Sequence, residues 1–591
     1  MENLEKLYAK PLPSSRSGAF YNAFPYPTKI SPETIAVYIA CATEPGDTVL
    51  DAFGGSGSTG IAALMCEHPT QRMEDIATSL GVVPKWGARN AVLYEVGTYA
   101  SFAAKTIMNR ITAIEYQKAV NEFLEHATKL VADAYSVKDP NGNIGVLRYA
   151  IWSELLICPD CGAELSYFAH AMSRNPAAFA KKITCPYCGR THKTDDMAFS
   201  IEDYNDPILK RTISRKKRIP AWVYGSTDGK NWDRPACPED SGSLRCRELF
   251  PTHDEPKEIR WGELHRSGYH YGITHLHHFY TERNYLVMSA LWHLAETFPG
   301  CQGDALKLLL LSYNATHCTL MTRVVAKKNA SDFILTGAQS GVLYVSKAPV
   351  EKNILLGLYR KVKPFAEVYT MLERCTGTME IHNRSSIQMD EADRSVDFVF
   401  TDPPFGDFIP YAEVNQINEL WLGNTTDRAD EVIISPSQGK DVSVYQNMLM
   451  ATFHEIDRVL KPNGYVSVVF HAAKAAVWDA FYSAISNVGF RVERSSILDK
   501  TQASFKQVVS EGSVRGDPLF LLHKTASVKA AEISDDEILD KIMAENKSNQ
   551  SFDMRRCYSM YVYACLEYGI RVAKDAKQVY KRYDQWKGRQ V

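Results

Sequence analysis

The stretch Val396-Asp397-Phe398-Val399-Phe400-Thr401-Asp402-Pro403-Pro404-Phe405 constrains the fold of this chain most strongly. Val396, Phe398, Val399 and Phe400 read as a strand buried on both faces, and two prolines end it because neither can donate to a ladder. Asp402 is thereby expected at the carboxyl end of a strand, where open α/β sheets carry their chemistry. Read alone, the stretch also suits a strand that simply ends in a proline turn.

An acid followed by Pro-Pro-aromatic has a specific chemical use. The exocyclic amine of a base is a poor nucleophile, because its lone pair is delocalised into the ring. A carboxylate and a backbone carbonyl accepting its two N–H bonds would localise that pair, and an aromatic face would hold the base once out of its stack. Asp402, the carbonyl of Pro403 and the ring of Phe405 could supply these three parts.

Upstream, Phe24-Pro25-Tyr26-Pro27-Thr28-Lys29 precedes Ser31-Pro32, an N-cap with proline at the first helical position. The residues before it, 1–23, read as an irregular arm. Thr48-Val49-Leu50-Asp51 is a short strand, followed by Ala52-Phe53-Gly54-Gly55-Ser56-Gly57-Ser58-Thr59-Gly60 and an apolar helix. A glycine-rich loop between strand and helix lets a ligand approach the backbone and offers it helix N–H groups. A second strand, Ala91-Val92-Leu93-Tyr94, ends in Glu95, placed to accept hydrogen bonds from a ribose.

With Asp402-Pro403-Pro404-Phe405, these segments resemble the S-adenosylmethionine-dependent amino-methyltransferases of DNA, of the adenine-specific Asp-Pro-Pro-Phe type. The resemblance covers roughly residues 20–110 and 380–525. It implies a Rossmann-like methyltransferase sheet of seven strands, the last antiparallel, with helices on both faces. It implies that Asp51, Phe53, Gly55, Gly57 and Thr59 hold the methionine part of the cofactor, with Pro27 and Thr28 lining the same pocket. Glu95 would bind the ribose hydroxyls, although its interval from Asp51 is longer than that family usually shows. Ile387-Gln388-Met389-Asp390 would be a strand end, with Asp390 bordering the adenine. Asp402, Pro403, Pro404 and Phe405 would hold the target amine.

A long insertion separates the two halves. It contains Cys158-Pro159-Asp160-Cys161-Gly162 and Cys185-Pro186-Tyr187-Cys188-Gly189. Four thiolates at this spacing can close a tetrahedral, structural zinc site, a zinc ribbon with no open position for catalysis. Cys237 and Cys246 lack that spacing and are expected to be unliganded. Lys210, Arg211, Arg215, Lys216, Lys217 and Arg218 form a basic cluster suited either to phosphate contacts or to a solvated loop. The run containing His270, His275, His277 and His278 could form a second metal site, but no ligand spacing stands out and ordinary packing and hydrogen bonding are expected. Helices are expected over 282–297 and 305–322.

Later segments alternate again: a helix over 448–460, a strand over 465–470, a helix over 475–488, and strands near 489–492 and 518–522, the pattern of a mostly parallel sheet covered by helices. From about residue 527 the chain turns polar and helical, with a capping box at Ser534 and Glu537. Its last stretch carries Arg555, Arg556, Arg571, Lys574, Lys577, Lys581 and Arg582, either to clamp nucleic acid or to dock on the domain with a solvated basic face.

These readings divide the 591 residues into 1–145, the cofactor-binding half of a methyltransferase domain; 146–350, an insertion with the zinc ribbon and target recognition; 351–526, the catalytic half; and 527–591, a helical extension. The expected activity is methyl transfer from S-adenosylmethionine to N6 of adenine in double-stranded DNA. N4 of cytosine, RNA, or an inactive zinc-ribbon nucleic-acid-binding protein are the alternatives. A nicotinamide-dependent oxidoreductase, suggested by the spacing of Gly55, Gly57 and Gly60, leaves the Asp-Pro-Pro-Phe loop unexplained. The net charge of -2 requires any nucleic acid to be met by local patches. No apolar run long enough to span a membrane and no signal-peptide pattern occurs, so a cytoplasmic protein is expected, with partners drawn from a restriction or defence system.

Overall fold

A computed structural model describes residues 2–9, 12–14, 18–109, 111–242, 249, 255–327, 330–500, 517–524, 533–547 and 552–588. The chain opens with α1 (Glu2–Ala9), β1 (Leu12–Ser14) and α2 (Ala19–Ala23). The amino-terminal segment is thus structured, against the expectation of an irregular arm. Leu4, Leu7 and Tyr8 are buried, and the Tyr8 hydroxyl lies 2.7 Å from Ser467 Oγ. Each element is too short for its periodicity to stand out in sequence.

Next come α3 (Pro32–Ala42), β2 (Thr48–Asp51), α4 (Ser58–Met65), β3 (Asn90–Tyr94), α5 (Thr98–Met108) and α6 (Ala113–Val131). The region that follows builds its own antiparallel sheet around the long strand β4 (Ile144–Ile157). There β5 (Ile201–Asp206) and β6 (Arg211–Lys216) form a hairpin, and β7 (Arg218–Thr227) pairs with β4. After α7 (Glu282–Glu296) and α8 (Gly300–Tyr313), strand β8 (Val350–Lys352) also pairs with β4 and leads into α9 (Ile354–Leu372). The helix expected over 305–322 ends at Tyr313 and passes into a π-helical turn, Asn314–Cys318.

The chain then forms β9 (Met379–His382), β10 (Val396–Thr401), α10 (Tyr411–Leu422), α11 (Val442–Val459), β11 (Leu460–Val469), α12 (Ala475–Val488), β12 (Arg491–Lys500), β13 (Asp517–His523), α13 (Asp535–Glu545), α14 (Met554–Glu567) and α15 (Ala576–Gly588). The segment 387–390, expected to be a strand end, is a loop, and β9 takes the place beside β3. Met389 is held in that loop at both backbone groups: its N–H donates to Glu455 at 2.7 Å and its carbonyl accepts from Arg458 at 2.9 Å.

The main sheet runs β9-β3-β2-β10-β11-β13-β12-β1. The first five strands are parallel, β13 is antiparallel to both neighbours, and β1 adds an edge parallel to β12. Successive residues feed opposite faces, as the pleat requires. Val49, Phe398 and Leu521 join the core under α3 to α9, whereas Leu50, Val399 and Leu522 join the core under α11, α12 and the carboxyl-terminal helices. Helices therefore cover both faces. Tyr558, Tyr561 and Cys565 of α14 are buried in the second core, so the carboxyl-terminal segment docks on the sheet. Among the described residues no helix is long and apolar enough to cross a membrane.

Candidate functional site

At the carboxyl ends of β2, β3 and β10 lies a cavity of ≈ 900 Å³, counted out to its open mouth. It forms because strands β2 and β10 are neighbours and their following loops diverge, one into α4 and the other into the Pro-Pro turn. Asp51 ties the two loops together. Its carboxylate accepts from the Phe53 N–H at 3.0 Å, from Thr59 Oγ1 at 2.6 Å and from Thr401 Oγ1 at 2.8 Å. Burial nevertheless pushes the Asp51 carboxyl up to about 6.

The glycine loop is shaped by two requirements. Gly57, the residue before α4, has φ 92°, a left-handed conformation costly for any residue with a Cβ. A Cβ on Gly60 would collide with the Met379 sulfur, so glycine there permits α4 to lie against β9. The loop is closed from β3 by Glu95, whose carboxylate accepts the Gly55 N–H at 2.7 Å and the Gly97 N–H at 2.5 Å. Burial, then the nearby charge of Asp51, raises the Glu95 carboxyl to about 7 against the pull of those hydrogen bonds.

Pro27, Thr28, Asp51, Phe53, Gly55, Thr59, Glu95, Asp402 and Pro404 all line this cavity. The expected cofactor and catalytic residues thus meet in one place, although up to 375 positions separate Pro27 from Asp402. Gly57, Pro403 and Phe405 are not among the lining residues. Pro404 is anchored through its carbonyl, which accepts the Tyr445 hydroxyl at 2.6 Å and the Gly406 N–H at 3.1 Å. The Phe405 ring packs edge-on against Phe470, with ring centres 5.6 Å apart.

Asp390 is placed differently from expectation. It lies outside the cavity lining, with its side chain 61% exposed and paired to Arg384. Arg384, Ser385 and Ser386, which follow β9, line the cavity in its stead, a consequence of the strand falling earlier than the sequence suggested. Tyr26 and Tyr411 are further lining residues that the sequence motifs do not mark. Their rings stack at 6.1 Å, and the Tyr411 hydroxyl is 2.9 Å from Thr28 Oγ1. Tyr26 lies inside a recognised segment; nothing in the sequence singles out Tyr411, which opens an ordinary helix.

The four cysteines also converge. Cys158, Cys161, Cys185 and Cys188 have all their sulfurs within 4.8 Å of one another, with Sγ–Sγ distances of 3.7 Å (Cys158–Cys188) and 3.6 Å (Cys161–Cys185). A tetrahedral ion with sulfur ligands at about 2.3 Å requires edges of roughly 3.8 Å, so the thiols fit zinc. The two knuckles repeat one geometry: Gly162 N–H reaches Cys158 O and Gly189 N–H reaches Cys185 O, both at 2.9 Å, with φ 72° and 73° at the glycines. Cys237 bonds to Asp240 instead, and Cys246 lies outside the described residues.

Asp206, His277 and His278 form a second compact group, each Nε2 lying 2.8 Å from Asp206 Oδ2. The Nδ1 of His278 accepts the Thr274 N–H at 3.1 Å, so its Nε2 carries the proton and donates to Asp206. In this arrangement the three side chains form a hydrogen-bonded staple between the β5–β6 hairpin and the loop before α7, and their ligand atoms are also close enough together to hold a metal ion.

Much of the basic cluster is internally neutralised. Lys216 and Arg218 pair with buried Glu154, Arg215 with Glu202 and Lys217 with Glu164. In the carboxyl-terminal segment Lys574, between α14 and α15, and Arg582 of α15 pair with Asp535, Asp536 and Asp540 of α13. These cations serve docking within the chain.

Residues 3–68 match the family model described as DNA methylase. The match ends just after α4 and so includes Asp51 and the whole glycine loop. It supports a DNA methyltransferase, in a family that covers both N6 and N4 amines. No curated protein matches the chain.

Proposed function

We propose that this protein methylates an exocyclic amine in duplex DNA, with N6 of adenine as the acceptor and S-adenosylmethionine as the donor. The observation that carries the reading is the shared cavity: the glycine loop and Glu95 form one wall while Asp402 and Pro404 form the other. The strand order, with five parallel strands and an antiparallel β13 inserted between β11 and β12, supports a Rossmann-like methyltransferase sheet.

The lining fits the donor. Asp51, Glu95 and Asp402 make the cavity rich in carboxylates, which favours a cationic sulfonium, and Glu95 is placed to accept from ribose hydroxyls. When bound, S-adenosylmethionine supplies an electrophilic methyl group. The chain's own contribution is position and polarisation. Asp402 accepts one N–H of the amine and the Pro403 carbonyl the other, which directs the nitrogen lone pair towards the glycine loop, and Phe405 stacks on the extruded base. Holding both reactants so converts a bimolecular step into a positioned one. With the donor held by Asp51, Glu95 and the glycine loop, its methyl group would pass to the amine and the sulfur would leave as a neutral thioether, while the surplus N–H proton would leave along the hydrogen bond to Asp402.

The four cysteines would hold a structural zinc ion that braces the region 146–350, to which we assign target recognition; residues 1–145 and 351–526 would then form the two halves of the catalytic domain, with 527–591 as its helical extension. The test is transfer of labelled methyl to duplex DNA followed by digestion to nucleosides. Label in N6-methyladenine that disappears in Asp402→Ala supports the reading. Label in N4-methylcytosine changes the base and keeps the mechanism. Absence of transfer to DNA, with transfer to RNA, refutes it.

A further inference from the structure

Beside the cavity, a set of cations converges that has no carboxylate partner among the described residues. Lys29 lines the cavity wall, and its ammonium donates only to backbone carbonyls, Phe20 O at 2.7 Å and Phe24 O at 3.1 Å, over the rings of the same two residues. Across α2, Lys361 donates to Asn22 O at 2.8 Å. Lys352, at the end of β8, lies 3.1 Å from His317 Nδ1 on the π-helical turn. Arg360 is exposed on α9 and forms no ion pair among the described residues.

The chemistry of this group is one-sided. An ammonium has no lone pair, so Lys352 donates to His317 Nδ1 and the proton of His317 sits on Nε2. Lys29, His317 Nε2, Lys352, Arg360 and Lys361 therefore present donors only. Nearby acids are engaged elsewhere: Glu351 faces Trp152 and Arg283, and Glu367 pairs with Lys363. Burial holds Lys352 and Lys361 down at about 8, and burial together with these neighbouring cations lowers His317 to about 3, as expected for cations lacking an anion. π-Helical turns such as the one bearing His317 occur frequently at functional sites.

We propose that His317, Lys352, Arg360 and Lys361, continuing outward from Lys29, bind backbone phosphates of the duplex whose base enters the cavity. This rests on the DNA methyltransferase reading. Phosphate contacts position a duplex without reading it, which is what a site beside the extruded nucleotide requires.

The experiment is binding of a short labelled duplex to the full-length chain by fluorescence anisotropy across a range of salt concentrations. Arg360→Gln/Lys361→Gln is expected to bind at least about tenfold more weakly and to lower the slope of log affinity against log salt by about 1.8, or about 0.9 for each phosphate no longer neutralised. Binding of S-adenosylmethionine is retained. Lys363→Gln, on the same helix and already paired with Glu367, keeps the wild-type slope. Should the double variant misfold, Arg360→Gln alone is read in the same way. Wild-type binding with an unchanged slope in the variants overturns the phosphate site and leaves the methyltransferase reading standing. Failure of the wild type to bind duplex DNA overturns both.

Discussion

Thr401, the last residue of β10, donates its hydroxyl to the Asp51 carboxylate at 2.8 Å, so the strand that carries the Asp402 loop is fastened to the strand that carries the glycine loop. Both residues are buried. Thr401→Val keeps the shape and removes the donor, leaving the carboxylate with two of its three partners. It is expected to lower stability by about 1–3 kcal/mol and to weaken S-adenosylmethionine binding, measured by urea denaturation and calorimetric titration.

Glu95 makes the stability of this domain fall with rising pH. Its folded carboxyl titrates near 7, above the ordinary value of 4.5. Between those values the folded chain holds a proton that the unfolded chain has released, so stability declines as pH rises through the window and the loss is complete above it. Glu95→Gln cannot titrate and is expected to flatten the slope of the denaturation midpoint between about pH 5 and 7, leaving the smaller slope from Asp51. A slope unchanged in Glu95→Gln would assign the pH dependence to other groups. Because the amide also replaces one acceptor of a backbone N–H, Glu95→Gln should be about 1 kcal/mol less stable than wild type near pH 5, a deficit that disappears as the wild-type carboxyl ionises at higher pH.

Tyr445 supports the catalytic loop from behind through its 2.6 Å hydrogen bond to the Pro404 carbonyl. Tyr445→Phe should lower kcat on the order of tenfold, equivalent to about 1.4 kcal/mol, while the affinity for S-adenosylmethionine is retained. Parallel losses in both would show that the tyrosine supports the entire cavity rather than the Asp402 loop.

The cysteine cluster predicts one zinc ion per chain by elemental analysis, released by Cys185→Ser. Because Cys158 and Cys185 are buried in a small cluster with Leu156, Leu165 and Ile183, distinct from the cores on the main sheet, loss of the ion should unfold this ribbon while the α/β sheet keeps its far-UV signal. Proteolysis should then cut selectively near 158–190.

Leu7 measures the contribution of the amino-terminal helix. It is fully buried in the core under α3, and Leu7→Ala is expected to cost about 2–5 kcal/mol in denaturant unfolding. A cost below about 0.5 kcal/mol would mean that α1 is dispensable to the fold.

Local chemistry made part of this protein legible from sequence alone. Two prolines must end a strand, a glycine loop must separate Asp51 from α4, and paired Cys-Pro-x-Cys-Gly turns must bring thiols together, because each is dictated by residues within a few positions of one another. Ser534 and Glu537 likewise form their reciprocal cap. Only the tertiary structure decided what depends on distant neighbours. Strand β9 lies at 379–382 because its ladder partner β3 and the space above Gly60 select it, whereas 387–390 is drawn into a loop by Glu455 and Arg458. Tyr411 enters the cavity through stacking on Tyr26, and most of the basic cluster is spent on Glu154, Glu202 and Glu164, carboxylates on other strands. A charge or a ring acquires its role from what faces it, and that partner is set by the packing of the sheets, which no short window of sequence contains.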